Sequence, residues 1–157
     1  MSAPNDRYVN DDQVAQAVGQ MLSRIGIRTA VECMPFNVYL SKARDQQFSF
    51  AMLGWGSYAN DLALRALLMT PNADKGNGAW NWGRYSNPKV DKLVEQALDT
   101  VDDKKRDALA REAGATAGAD VAVIPLDHQI VTWAMKKNLA YEARTDERSL
   151  AQFFRPR

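Results

Sequence analysis

Apolar residues near the start of the chain recur at helical spacing: Val14, Ala17, Val18, Met21, Leu22 and Ile25 fall three or four positions apart. Asn10 or Asp11 can cap this helix, and Gly26 supplies its stop. Over 28–34 the period shortens to two. Thr29, Val31 and Cys33 fall on one face and Ala30, Glu32 and Met34 on the other, which predicts a strand. Pro35-Phe36-Asn37 opens a second helix with Val38, Leu40 and Ala43 apolar, and 48–53 is nearly continuously apolar, as a buried strand should be. The order helix, strand, helix, strand fits a right-handed βαβ arrangement around a parallel core, completed by a strand expected just before Pro4.

The pattern then becomes mostly helical. A short apolar helix is predicted over 62–69. Residues 70–86 form a long loop rich in Asn, Gly and Trp, of a length that compact domains rarely keep without a function. Asn87 caps the next helix with Pro88 in its first turn, and Val90, Leu93, Val94, Ala97 and Leu98 line its buried face. Asp102 starts another helix, where Asp102/Arg106 and Asp107/Arg111 are spaced for local pairing on a solvated face. Gly114 and Gly118 weaken the end of that helix by about 1 kcal/mol each relative to alanine. A strand is predicted over 121–126, extended chain over 130–135 and a turn at 136–138. Residues 142–157 are polar and basic, with Phe153-Phe154 as an isolated apolar pair.

Two of the predicted loops carry rings where loops normally carry polar groups. Trp55 and Tyr58 follow the apolar run over 48–53, and Trp80, Trp82 and Tyr85 lie in the long loop. Rings on irregular backbone point to a concave ligand site or a partner surface; taken singly, each could equally roof the core. Asp61 is the only acid between Asp45 and Asp74. A carboxylate there can pair with a ligand cation, or Asn60 or Asp61 can cap the following helix. Arg65, one turn on, could neutralise Asp61 instead. Asn81 could hydrogen-bond a ligand backbone.

Composition narrows the function classes. The chain has 157 residues, 46% hydrophobic and 25% charged, with a formal net charge of +1, so no strong field favours nucleic acid or an anionic membrane. No apolar run reaches the length of a membrane span. The single Cys33 permits no internal disulfide. The single His128 has no acidic cluster beside it for a metal and no Gly-x-Ser-x-Gly elbow for a triad, and no glycine-rich phosphate loop follows a strand. Catalytic residues, a metal and a cofactor are therefore not expected. Residues 1–20 lack the apolar segment of an export signal.

One ordered set of features resembles a known family. Gly54-Trp55-Gly56 follows a hydrophobic strand, and Asp61 stands a few residues on. Tyr85-Ser86-Asn87-Pro88-Lys89-Val90-Asp91 then opens a helical pair. After it come Val121-Ala122-Val123-Ile124-Pro125-Leu126-Asp127-His128 and Trp133-Ala134-Met135-Lys136-Lys137-Asn138-Leu139. The set resembles the oligopeptide/dipeptide/nickel class of solute-binding proteins of ABC transporters (family 5), over about residues 4–139. The family's usual Asp-Pro pair beside the acid is absent here. The resemblance implies an α/β fold: a periplasmic-binding-protein-like lobe with a mixed, mostly parallel sheet flanked by helices. Members are two-lobed and much longer, so residues 4–141 are expected to be a C-terminal lobe and 142–157 a tail returning to the other lobe. It further implies a periplasmic receptor, with its export signal upstream, that captures a peptide or other amino-bearing solute and delivers it unchanged to permease subunits in the membrane. Trp55, Tyr58, Asp61, Trp80, Asn81, Trp82 and Tyr85 would line its ligand site. The residues alone leave open an independent small α/β domain with an enzymatic or protein-interaction role.

Overall fold

The computed structural model describes residues 1–144, 146 and 148–157. It divides into two compact units, Met1–Ile124 and Pro125–Arg157. The expected boundary between a lobe and a tail lay further on, between 141 and 142, and its tail includes residues 145 and 147, which lie outside the described residues.

The first unit opens with β1 (Ser2–Pro4), the strand expected just before Pro4, buried along its whole length. Helix α1 (Asp11–Arg24) leads to β2 (Glu32–Met34), which pairs parallel with β1, Ala3 opposite Cys33. Helix α2 (Phe36–Arg44) then leads to an extended segment that meets β1 from its other side through a parallel bridge, Ser2 with Ala51. β1 is therefore central, and the parallel βαβ order expected from the sequence is built. The strands are shorter than their patterns: only 32–34 of the expected 28–34 pairs, and 48–53 contributes a single bridge. A ladder needs a neighbour at every residue, and β1 offers only three.

Two features at the start of α1 and α2 fix this layer. Asn10 sits at the α1 N-cap without a side-chain cap, while the buried Asp11 carboxylate accepts the backbone N–H groups of Arg7 and Tyr8, each at 3.0 Å. Pro35 at the α2 N-cap has no side chain able to cap, so Asp6 reaches over to accept the Phe36 N–H at 2.7 Å. The loop 5–8 is thus pinned to both helices.

The rest of the unit is helical. Helix α3 (Asn60–Leu67), α4 (Pro88–Leu98) and α5 (Asp103–Ala119) enclose a core of Leu68, Met69, Val90, Leu93, Val94, Ala113 and Ala117. Asn87 caps α4 by accepting the Lys89 N–H at 2.9 Å, and Asp102 caps α5 by accepting that of Lys105 at 2.8 Å. A side chain at Gly114 or Gly118 would meet nothing within 4 Å, and the residues that α5 buries are Ala110, Ala113 and Ala117. The helix thus runs unbroken through both glycines. Arg106 pairs with Asp103 at 2.5 Å rather than with Asp102, whose carboxylate is committed to the cap.

The strand expected over 121–126 does not form, and 130–135 carries no regular structure. No described strand pairs with this stretch, and Val121, Val123, Ile124, Leu126 and Ile130 stay exposed. In the second unit β3 (Leu139–Tyr141) pairs antiparallel with β4 (Phe154–Pro156) after the expected turn at 136–138. The Phe153-Phe154 pair is not isolated. Phe154 stacks on Tyr141 with centroids 4.5 Å apart, and Arg144 lies over the Phe153 ring at 4.9 Å. Among the described residues no helix is long and apolar enough to cross a membrane.

Candidate functional site

The extended segment ending at Leu53 is held at its exit by two tyrosine hydroxyls. Tyr39, wholly buried on α2, donates to the Met52 carbonyl at 2.6 Å, and Tyr8 donates to the Gly54 carbonyl at 3.1 Å. Burial pushes both phenols above their ordinary range, Tyr39 farther than Tyr8. Just beyond, the first aromatic loop meets the second. The Trp55 and Trp80 centroids lie 5.1 Å apart at 64°, and Trp80 and Trp82 lie 5.2 Å apart at 41°. Trp82 meets Tyr39 edge-on at 6.3 Å. A continuous row of rings therefore runs outward from the core: Tyr39, Trp82, Trp80, Trp55. Each such contact contributes about 0.5–1.5 kcal/mol beyond area burial. Exposure rises along the row from 0% at Tyr39 to 39% at Trp55, with Trp80 and Trp82 half-buried. Two surface hollows elsewhere in this unit, about 390 Å³ along α1 and about 210 Å³ beside β2, contain none of these rings. The row is an open face rather than an enclosed pocket. Tyr58 is 80% exposed and shares no ring contact with it.

The second loop directs its polar groups to itself and to α3. Gly78 and Trp80 donate their N–H groups to the Arg65 and Ala66 carbonyls, both at 2.9 Å, so the loop doubles back along the end of α3. The Arg65 guanidinium donates to Asn77 Oδ1 at 3.0 Å and to the Lys75 carbonyl. Asn81 is buried. Its amide nitrogen donates to the Met69 carbonyl at 3.0 Å and the Tyr85 carbonyl at 2.7 Å, while its oxygen accepts the Tyr85 N–H at 3.0 Å. Both donors of that amide are thus used within the loop. Thr70 closes the loop by donating backbone and hydroxyl protons to Asp91 on α4.

Asp61 lies in the first turn of α3. Ala59 occupies the N-cap, so neither Asn60 nor Asp61 is the cap that the sequence allowed for. Asp61 is only 8% exposed, and among the described residues its carboxylate has no hydrogen-bond or ion-pair partner. No side-chain polar atom of the described residues is both sealed and unpartnered, so the residual exposure of Asp61 includes its oxygens. Arg65 does not neutralise it, being committed to Asn77 and Lys75. The positive end of the helix is what tolerates a carboxylate here.

Tyr85 belongs to the scaffold around the row. It packs on the helical core and donates its hydroxyl to Asp120 Oδ2 at 2.6 Å, where Asn87 also donates at 2.7 Å. Burial, then the hydrogen bond to Asp120, raises the phenol, while Tyr85 and then Asn87 lower the Asp120 carboxyl. A carboxyl lowered on folding stabilises above its unfolded pKa and loses that contribution as pH falls through its folded value. A raised phenol stabilises below its unfolded pKa and loses that contribution as pH rises through its folded value. The melting-temperature gap between the parent chain and Tyr85→Phe is therefore expected to be widest near neutrality and to narrow at both extremes. A gap independent of pH would show that the pair does not couple to folding.

Sequence reasoning missed Tyr39, the buried end of the row, and Phe36 and Tyr8, the rings that continue from it. Their only sequence signal was aromatic character beside helix starts. His128 is exposed in the second unit. Among the described residues no three of His, Cys, Asp and Glu gather closely enough to hold a metal ion.

The parallel βαβ layer and the helices beyond it have the fold of a periplasmic-binding-protein lobe, and the sequence is related to peptide-binding proteins of ABC importers over part of their length. The chain is 28% identical over 136 residues to the oligopeptide-binding protein OppA of Bacillus subtilis (strain 168), which covers 84% of this chain and 24% of that protein. It is 25% identical over 130 residues to di/tripeptide-binding protein 1 of Pseudomonas aeruginosa (strain UCBPP-PA14), covering 80% of this chain and 24% of that one. The crystal structure of a peptide-binding protein of a peptide ABC transporter superposes with a TM-score of 0.62 at 25% identity, over 79% of this chain and 55% of that chain. The chain thus spans about a quarter of the length of the curated relatives it matches. No family model matches it. These relatives are binding proteins rather than enzymes.

Proposed function

We propose that this chain is part of the solute receptor of an ABC importer and holds one side of a ligand cleft. The ligand is a peptide or another solute with a free amino group, received in the periplasm and passed unchanged to membrane permease subunits. No catalytic step is involved. Trp55, Trp80 and Trp82 supply contact area along the open face, with Tyr58 free to close over a bound solute. Asn81 and Tyr85 support the face from below.

The observation that carries this reading is the Asp61 carboxylate, nearly buried, without a partner among the described residues, and directly following the first aromatic loop in the chain. A buried carboxylate is costly unless paired, and a ligand ammonium would pair it with a charge-assisted hydrogen bond of about 1.5–3 kcal/mol. If the opposite lobe supplies about half the contact free energy, a micromolar site near −8 kcal/mol falls to roughly −4, a millimolar dissociation constant. Calorimetric titration of the 157-residue chain with trialanine is expected to show millimolar binding, weakened about tenfold or more both by N-acetylation of the peptide and by Asp61→Asn. Equal binding of the free and acetylated peptides would remove the amino-group assignment.

A further inference from the structure

We propose that Tyr8 is a positioning residue of the aromatic face: it holds the Gly54 backbone and thereby sets Trp55 against Trp80. Its significance for ligand binding rests on the reading above; its geometry does not. Nothing in the sequence placed Tyr8 near the Gly-Trp-Gly loop, 46 residues away, yet its hydroxyl donates to the Gly54 carbonyl at 3.1 Å. Its ring also occupies the space a side chain at Gly54 would need. A Cβ built there would fall 2.6 Å from one Tyr8 ring carbon and 2.9 and 3.0 Å from two others. The Tyr8 ring thus leaves room at position 54 only for glycine.

Tyr8 is itself fixed from three sides. Its N–H is bound by the buried Asp11 carboxylate, its ring meets Phe36 edge-on at 6.4 Å, and the Arg7 guanidinium lies 5.2 Å from its centroid and 5.6 Å from that of Phe36. Phe36 in turn stacks toward Tyr39, whose hydroxyl holds the Met52 carbonyl two residues before Gly54. The two hydroxyls hold carbonyls two residues apart on one segment, those of Met52 and Gly54. Trp55 is the next residue after the second grip, so its backbone leaves a fixed point. Remove the Tyr8 hydroxyl and, among the described residues, the nearest side-chain grip on the segment's backbone is at Met52, three residues from Trp55.

The test uses the Trp55–Trp80 pair as its own reporter, because two indoles 5.1 Å apart at 64° give an exciton couplet in circular dichroism. Trp80 and Trp82, 5.2 Å apart at 41°, give a couplet of their own, so the couplet followed here is the part of the signal that Trp55→Phe removes. In Tyr8→Phe the couplet is expected to fall by at least half while helical signal and melting temperature stay close to the parent. Gly54→Ala, which pushes the same ring away, should do the same. A couplet unchanged in Tyr8→Phe overturns the proposal, as does a couplet that falls only in proportion to lost helical signal. Titration with trialanine separates this from the function. If Trp55→Phe and Tyr8→Phe both weaken binding several-fold, both readings hold. If the couplet falls but neither variant alters binding, Tyr8 positions Trp55 as stated and the ligand face is not at Trp55.

Discussion

Replacing Tyr39 by alanine is expected to destabilise the first unit by about 4 kcal/mol, the middle of the range for removing a large buried ring. Tyr39 is wholly buried and is shared by three neighbours: Phe48 stacks on it at 5.0 Å, Phe36 at 6.4 Å, and Trp82 meets its edge at 6.3 Å. Its loss would leave a cavity under the row and orphan the Met52 carbonyl. Tyr39→Phe separates the two effects: it keeps the ring and removes only the hydroxyl, for about 1–3 kcal/mol. Urea unfolding followed by tryptophan fluorescence measures both, in a Trp133→Phe background so that only Trp55, Trp80 and Trp82 report. Tyr39→Ala is also expected to change the native-state emission of Trp82, since one wall of its environment is gone. A loss no larger than that of Tyr39→Phe would mean that the row does not rest on this ring.

The order of elements in the first unit was legible because each rests on local chemistry. Asn87-Pro88 and Asp102 announce α4 and α5, and the caps form as the residues require. The meeting of two loops 25 residues apart in Trp55 and Trp80 was legible only as a shared abundance of rings. Strand lengths were not legible, because pairing depends on a neighbour. The stretch 121–126 has the apolar, β-branched composition of a strand, yet no described strand lies beside it. The roles of individual polar residues were also hidden. Arg65 was placed correctly one turn from Asp61, but its partners, Asn77 and Lys75, belong to a loop whose return path no spacing encodes. The same is true of Tyr8, whose partner is a backbone carbonyl. Sequence pattern identifies which side chains need burial or a partner; it does not say which distant carbonyl supplies one.

The second large effect is expected where the long loop turns back onto α3. Gly78 has φ +63°, and a Cβ there would lie 2.4 Å from the Met69 carbonyl oxygen and 2.8 Å from Pro71 Cα. Both obstacles are backbone, so the loop must move as a body. Gly78→Ala is expected to cost about 3 kcal/mol, combining left-handed strain with the collision. Asn81→Ala is expected to cost a similar amount, about 3 kcal/mol, because it leaves the buried Met69 carbonyl and two part-buried backbone groups of Tyr85 without their bonds. The two changes converge on one atom, the Met69 carbonyl oxygen: alanine at 78 displaces it and asparagine at 81 binds it. Residues that share a partner do not act additively. The double variant should therefore lose about 1–2 kcal/mol less than the sum of the single losses, because once the carbonyl has been displaced Asn81 has less to hold. In each single variant Trp80 and Trp82 should separate, since Trp80 is carried within the Gly78–Asn81 turn and Trp82 directly after it, and their fluorescence should shift toward that of exposed indole before global unfolding. Strict additivity in the urea-unfolding cycle would show that the two residues stabilise the loop through separate contacts and that the Met69 carbonyl is not the point on which the second aromatic loop is hung.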